Sequence, residues 1–325
     1  MVADTSLYLL SLLLLLPLSL LVTLFFLVRP RHVTIPIKSR HVFITGGSSG
    51  IGLALAHRAA ADGARVSILA RDLEKLESAK QSISLATGID VAIYSADVRD
   101  YDAVKSALEK AGDVDVLVCN QGVFVPQELE SHDLEEFKFM IDVNVIGTFH
   151  LIKAALPGMK GRKDRGPGSI AIISSQAGQV GIYGYTAYSA SKFALRGMAE
   201  ALQQEVIAED IHVSLIFPPD TETPGFVEEN KRRPELTSII AASSGSMKAE
   251  EVAQKALSGI KSGKFIVPCN FEGVMLSIAT AGLSPQPSFL MAFVEVVAAG
   301  ILRFAALCFQ WNWYSSIERW HTKKR

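Results

Sequence analysis

The chain has 325 residues, 49% hydrophobic and 20% charged, enough apolar mass for a large core without disulfide staples. Its 32 basic and 33 acidic residues leave a net charge of -1, which argues against a nucleic-acid binder and against an acidic disordered chain. Cys119, Cys269 and Cys308 lie far apart and the seven histidines are scattered, so neither a disulfide framework nor a metal site is expected.

Residues Leu7 to Val28 carry no charged side chain. As a helix they extend about 33 Å at ~1.5 Å per residue, enough to cross a bilayer core of about 30 Å. Asp4 is the only charged side chain before the run, and Arg29, Pro30, Arg31 and His32 follow it. That order suits a retained anchor better than a cleaved signal peptide. The basic flank Arg29, Arg31, Lys38 and Arg40 is expected to stay cytosolic, with the N-terminus in the lumen. Residues 1–37 therefore read as an anchor and linker.

Residues 38–270 read as one domain. β-branched runs begin at His41, Arg65, Val91, Asp115, Ser169, His212 and Phe265. Helical stretches separate them, among them 50–62, 132–156, 186–209 and 248–262. Strands alternating with helices predict an α/β fold, a Rossmann-type doubly wound parallel sheet with helices on both faces. Such sheets bind ligands at the carboxyl ends of their strands.

After the first strand comes Thr45-Gly46-Gly47-Ser48-Ser49-Gly50-Ile51-Gly52. Glycines allow a tight turn and close approach to a pyrophosphate, and the following helix aims its free N–H groups at the phosphates. Gly46, Ser48, Ser49, Gly50, Ile51 and Gly52 are the candidate contacts. The second strand ends Leu69-Ala70-Arg71, with no carboxylate to hold a ribose 2′-hydroxyl. Arg71 suits a 2′-phosphate by charge and bidentate geometry, which favours NADPH over NADH. Asp72 reads as a cap for the next helix. Lys75 is either a second phosphate contact or a solvated helix position.

Tyr188 and Lys192 stand at i and i+4 on one helical face. An ammonium beside a phenol favours the phenolate, so the pair can pass a proton to a carbonyl oxygen at neutral pH. Tyr101 and Lys105 share that spacing, but Ser175 stands 13 residues before Tyr188 at a strand end, whereas Gly88 holds that place before Tyr101. The second match reads as a chance helix pair.

Taken together, residues 41–267 resemble a short-chain dehydrogenase/reductase. The glycine turn matches that family's TGxxxGxG, Asp97-Val98 its adenine-side acid, and Asn144 its tetrad asparagine, with Ser175, Tyr188 and Lys192. The resemblance implies that Ser175 holds the substrate oxygen and Tyr188 is the acid. It implies that Lys192 binds the nicotinamide ribose and that Asn144 supports a proton relay. By the same resemblance Asn120 and Thr221 join the cofactor-binding set.

Two departures stand out. The family's NNAG is Cys119-Asn120-Gln121-Gly122 here, and its Pro-Gly is Pro218-Pro219, followed by Asp220-Thr221-Glu222-Thr223-Pro224-Gly225. That second string, with the apolar tail, resembles the 3-ketodihydrosphingosine reductase branch. It implies NADPH-dependent reduction of a long-chain amino ketone at the endoplasmic reticulum membrane, by a catalytic domain facing the cytosol. The implied partners are a long-chain lipid ketone, the membrane and, compatibly, a second copy of the chain. Residues 225–245 would form a lid or an ordinary surface loop. Asp220 or Glu222 would pair with the substrate amine, or both would serve the loop. Rival readings are a membrane-bound reductase of a 3-oxoacyl thioester, steroid or retinoid, and a non-catalytic dinucleotide-binding scaffold.

Residues 271–325 form a C-terminal apolar region. Gly273 to Trp313 is mostly apolar but interrupted by Pro285 and Pro287, with Glu295 and Arg303 inside. It reads as a hairpin or two short spans kinked at the prolines, or as an apolar surface lying on the body or the membrane.

Overall fold

The computed structural model describes residues 2–28, 33–161, 165–241 and 245–324. Arg29 and Arg31 of the basic flank lie outside these. In chain order the elements are α1 (Val2–Val28), β1 (His41–Thr45), α2 (Gly50–Ala61), β2 (Arg65–Ala70), α3 (Leu73–Thr87), β3 (Ala92–Ser95), α4 (Tyr101–Ala111) and β4 (Val116–Cys119). Then follow α5 (Leu134–Ile141), a π-helical segment (Asp142–Ile146), α6 (Gly147–Met159), β5 (Gly168–Ile173), α7 (Thr186–Val206) and β6 (Ile211–Phe217). The chain continues through β7 (Asp220–Glu222), α8 (Pro224–Glu229), α9 (Glu235–Ala241), β8 (Ser246–Lys248), α10 (Ala249–Lys261), β9 (Ile266–Pro268), α11 (Phe271–Ala279) and α12 (Phe289–Lys324).

Seven strands form one parallel sheet in the order β3-β2-β1-β4-β5-β6-β9. Its strands are apolar runs because helices cover both faces. Ala56, Ala59, Leu76, Ala253, Ala256 and Leu257 bring α2, α3 and α10 onto one face. Val104, Leu108, Leu151, Ala155, Leu195 and Ala199 bring α4, α6 and α7 onto the other. The strand order reverses between β1 and β4, which opens a crevice at their carboxyl ends.

Local chemistry sets several helix starts. Asp72 accepts from the Lys75 N–H at 3.1 Å, Asp100 from Ala103 at 3.0 Å and Asn270 from Gly273 at 2.7 Å. Ile35 and Ile37, which the sequence reading grouped with the linker, are buried against the body, and Ile35 N–H donates to Lys261 O at 2.8 Å. Arg40, read as part of the basic flank, is buried too. Its Nη2 donates to Pro167 O at 2.6 Å and its Nε lies 3.6 Å from Asp115.

Pro285 and Pro287 do not kink a helix: they lie in the turn before α12, which is continuous over 36 residues, about 54 Å at ~1.5 Å per residue. By length and composition Phe289–Lys323 can cross a membrane, and only 6% of its most apolar stretch is buried. The helix α1 packs beside it, with Phe25 and Phe289 edge to face at 5.3 Å. Leu16, Leu18 and Phe26 of α1 and Ile301, Phe304 and Trp311 of α12 stay exposed, so both helices are candidate membrane segments. Leu134–Met159 is also apolar, but much of it is buried as a core helix. Arg196 ties the C-terminal region to α7, donating to Thr280 O, to Ala281 O at 3.2 Å and to Ser284 Oγ at 2.8 Å.

Candidate active site

The turn after β1 is built for close approach. Gly46 and Gly50 have φ of 62° and 52°, where a side chain is strained. A Cβ on Gly52 would stand 2.3 Å from Gly46 O. Asn120 holds this turn from behind, its Nδ2 donating to Thr45 O at 3.1 Å and Gly46 O at 3.3 Å. Gly46, Ser48, Ser49, Gly50, Ile51 and Asn120 all line the crevice, while Gly52 is buried beneath it.

Two adjoining cavities, of about 290 and 240 Å³, share Gly46, Ser49, Gln121, Gly122 and Val123 and so form one groove over the sheet. The smaller end is lined by Arg71, Lys75, Asp97 and Val98. Asp72 caps α3 as expected, and Lys75 lies 3.6 Å from it. Arg99 forks the Asp97 carboxylate at 3.1 and 2.7 Å and holds its pKa below the usual carboxylate range.

Gln121 bridges two buried threonines. Its Oε1 lies 2.5 Å from Thr45 Oγ1, and its Nε2 donates to Thr148 Oγ1 at 2.8 Å. Thr148 in turn donates to Asn144 O at 2.8 Å. The chain of bonds ties the turn-bearing strand to the π-helical segment. Both threonines are fully buried, which makes each bond costly to lose.

Asn144 lies in that π segment, where an extra residue widens the helix. Its Oδ1 accepts from Val123 N at 2.8 Å, and its Nδ2 donates to Val123 O and Ser191 Oγ, both at 3.0 Å. The 132–156 helix is thus three segments rather than one. Asn144 is fully buried and lines neither cavity; Gly122 lines both, and a Cβ there would lie 3.5 Å from both Asn144 Oδ1 and Lys192 Nζ. Lys192 Nζ donates to Ile173 O at 3.1 Å and stands 5.6 Å from the centre of the Tyr188 ring. Ser175 ends the loop after β5, its Oγ accepting from Ala177 N at 3.1 Å. Ser175, Tyr188 and Lys192 line the larger cavity together. Tyr101 lies on α4 outside both cavities, and Lys105 pairs with Glu109 at 3.9 Å.

The segment read as lid or loop holds α8 and α9, and Thr237 Oγ1 fastens it to Tyr183 O at 2.8 Å. The strands β7 and β8, a second small parallel sheet, flank it. Thr221 lines the larger cavity and is buried, donating to Pro219 O at 2.8 Å. Glu222 faces away, exposed and bonded to Ser246 Oγ at 3.1 Å. Among the cavity residues that the sequence did not single out are Phe124, Tyr185 and Arg233. Phe124 meets Tyr185 and Tyr188 edge to face at 4.8 and 4.6 Å, an aromatic wall in the cavity. Burial pushes the Tyr185 phenol well above its ordinary range, with the Asp220 charge adding to it.

A strand–glycine turn–helix at a sheet's switch point, with a Tyr–Lys pair on α7 lining the same cavity, defines a dinucleotide-dependent oxidoreductase. The chain belongs to the short chain dehydrogenase family, whose description matches residues 40–234. It is 64% identical to the 3-dehydrosphinganine reductase TSC10B of Arabidopsis thaliana, over 94% of this chain and 93% of that one. It is 39% identical to the 3-dehydrosphinganine reductase of Danio rerio, over 92% of each. Among solved structures, a short chain dehydrogenase/reductase family protein matches at TM-score 0.62 and 31% identity, over 72% of this chain and 98% of that one. Two further structures, at 24% and 23% identity, share the fold; one is in complex with NADPH and the other with NAD. The family's cofactor is a nicotinamide dinucleotide, and the glycine cradle and the long groove here fit one.

Proposed function

We propose that this chain reduces the 3-keto group of 3-ketodihydrosphingosine to the alcohol with NADPH. The chain is an oxidoreductase acting on a ketone. The observation that carries the finer reading is one cavity lined by the glycine turn, Ser175, Tyr188 and Lys192, with apolar Phe124, Ile182 and Phe226 beside them. The near-full-length relatives named 3-dehydrosphinganine reductase support the substrate.

NADPH, when bound, supplies the hydride. Gly46, Ser48, Ser49, Gly50, Ile51 and Gly52 would hold its pyrophosphate, and Arg71 and Lys75 its 2′-phosphate. Asp97 and Val98 would flank its adenine, and Asn120 and Thr221 would brace the nicotinamide end. Ser175 donates to the substrate ketone, and Tyr188 donates the proton that completes the alcohol. Lys192, fixed by Ile173 O, holds positive charge beside the Tyr188 ring and binds the nicotinamide ribose. Asn144, bound to both polar atoms of Val123, is the anchor for a water relay behind Gly122.

The proposed organisation is an anchor and linker over 1–37, the reductase domain over 38–270 and a membrane-associated region over 271–325. The exposed apolar faces of α1 and α12 support residence in a membrane. We assign that membrane to the endoplasmic reticulum, with the catalytic domain in the cytosol where NADPH is available. The test is NADPH oxidation by the purified chain in detergent against a panel of long-chain ketones. Turnover of 3-ketodihydrosphingosine above steroid, retinoid and 3-oxoacyl thioester ketones supports the reading. Preference for one of those, or no turnover, rejects it.

A further inference from the structure

The larger cavity contains a charge arrangement that proton transfer does not use. Among its described lining residues Asp220 is the only carboxylate, and Lys192 and Arg233 are the only lysine or arginine cations. Lys192 is committed to Ile173 O and the Tyr188 ring. Arg233 Nη1 donates to Asp220 Oδ2 at 2.6 Å and to Asn230 Oδ1 at 3.3 Å, and its guanidinium lies over the Tyr185 ring at 5.5 Å. The Arg233 side chain is only 8% exposed, whereas that of Asp220 is 31% exposed. The other two guanidinium nitrogens of Arg233 are buried without a hydrogen-bond partner among the described residues.

A buried guanidinium with two unpaired nitrogens is costly, and an apolar side chain at that place would generally be no worse for stability. The arrangement instead fixes one carboxylate oxygen and leaves the other, Oδ1, without a hydrogen bond among the described residues, on a side chain that lines the same cavity as Tyr188. A fixed acceptor in the cavity that also holds Ser175 and Tyr188 is the complement of a cation carried next to the reacting carbonyl.

We propose that Asp220 accepts the 2-ammonium of a long-chain 2-amino ketone and that Arg233 is the positioning residue that holds Asp220 for it. This rests on the reductase reading above. Glu222 is excluded because it faces solvent and Ser246. The pair selects the head group, while the apolar wall of Phe124, Ile182 and Phe226 accepts the alkyl chain.

The test uses the full chain in detergent with two ketones of equal chain length, 3-ketodihydrosphingosine and its analogue without the amine. Asp220→Asn should raise the KM for the amino ketone by about tenfold or more, the scale of a charge-assisted contact, and change the analogue by less than about twofold. Arg233→Lys, which keeps the charge but loses the fork, should shift the same KM ratio in the same direction with NADPH affinity unchanged. A structural role would instead weaken both ketones alike, and that result overturns the proposal. A measurement on the unsubstituted chain covers the case of misfolded variants. A long-chain 2-amino-1,3-diol should inhibit about tenfold more strongly than the matching diol without the amine, and equal inhibition overturns the proposal. If the unsubstituted chain reduces neither ketone, the reductase reading fails and this inference falls with it. If it reduces both and Asp220→Asn loses both equally, only the head-group inference falls.

Discussion

Lys192 Nζ stands 5.6 Å from the centre of the Tyr188 ring, one turn along α7, and is held there by a 3.1 Å hydrogen bond to Ile173 O. The bond fastens the ammonium to the end of β5, so the charge is fixed beside the Tyr188 ring at the cavity wall. Helix and strand together set the position that the i, i+4 spacing only suggested.

Tyr188→Phe keeps the ring that packs on Phe124 and removes the proton. Turnover should fall by about 10²- to 10⁴-fold, the usual worth of a general acid. NADPH affinity, measured by fluorescence titration, should stay within about threefold. Large residual turnover would reject Tyr188 as the acid.

Arg71→Ala should weaken NADPH by about ten- to a hundredfold, as expected for a lost charge-assisted contact, and leave NADH nearly unchanged. Titration with each cofactor decides this. Equal losses would make Arg71 structural.

The seven strands, the glycine turn and the spacing that brings Ser175, Tyr188 and Lys192 to one cavity were legible in the sequence because each is a local pattern: an apolar run, a set of glycines, a fixed offset. What was not legible depended on partners distant in sequence. Arg233 joins Asp220 and Tyr185 only after the chain folds back, and in sequence it was one of three consecutive bases, Lys231, Arg232 and Arg233. Arg40 was read as a membrane flank because positive charge near an apolar run has that meaning on average. Its burial beside Asp115 appears only in three dimensions. The π segment at Asn144 escaped because it continues a helical pattern with one residue inserted. The strands β7 and β8 are three residues each, too short for alternation to register.

Gln121→Ala should destabilise the fold, because it strips partners from the buried hydroxyls of Thr45 and Thr148. The expected loss is about 1–3 kcal/mol in chemical denaturation. An unchanged midpoint would show that the bridge contributes little.

His41 is buried between Asp113 O at 2.7 Å and Ser67 Oγ at 2.8 Å, and burial lowers its pKa in the folded chain. Its neutral form is therefore favoured by folding. Its stabilisation is fully present above the unfolded pKa of about 6.5 and is lost as pH falls through the lower folded value. The melting temperature should drop between pH 7 and pH 5, less steeply in His41→Asn. Parallel slopes would exclude His41 as the cause.

Deleting residues 1–28 should leave the chain bound to membranes, because α12 keeps its exposed apolar face. Vesicle flotation should recover the truncated chain with the lipid, still able to bind NADPH. Full release into the soluble fraction would make α1 the sole anchor.

The central claim is that hydride reaches the 3-carbon of a long-chain amino ketone while Tyr188 supplies the proton. NADPH deuterated at the transferred position, incubated with 3-ketodihydrosphingosine and the purified chain, tests it in one measurement. Mass spectrometry should find one deuterium at carbon 3 of the product, and at least about a hundredfold less of that product from Tyr188→Phe over the same time. Unlabelled product, or an equal amount of labelled product with Tyr188→Phe, would contradict the account.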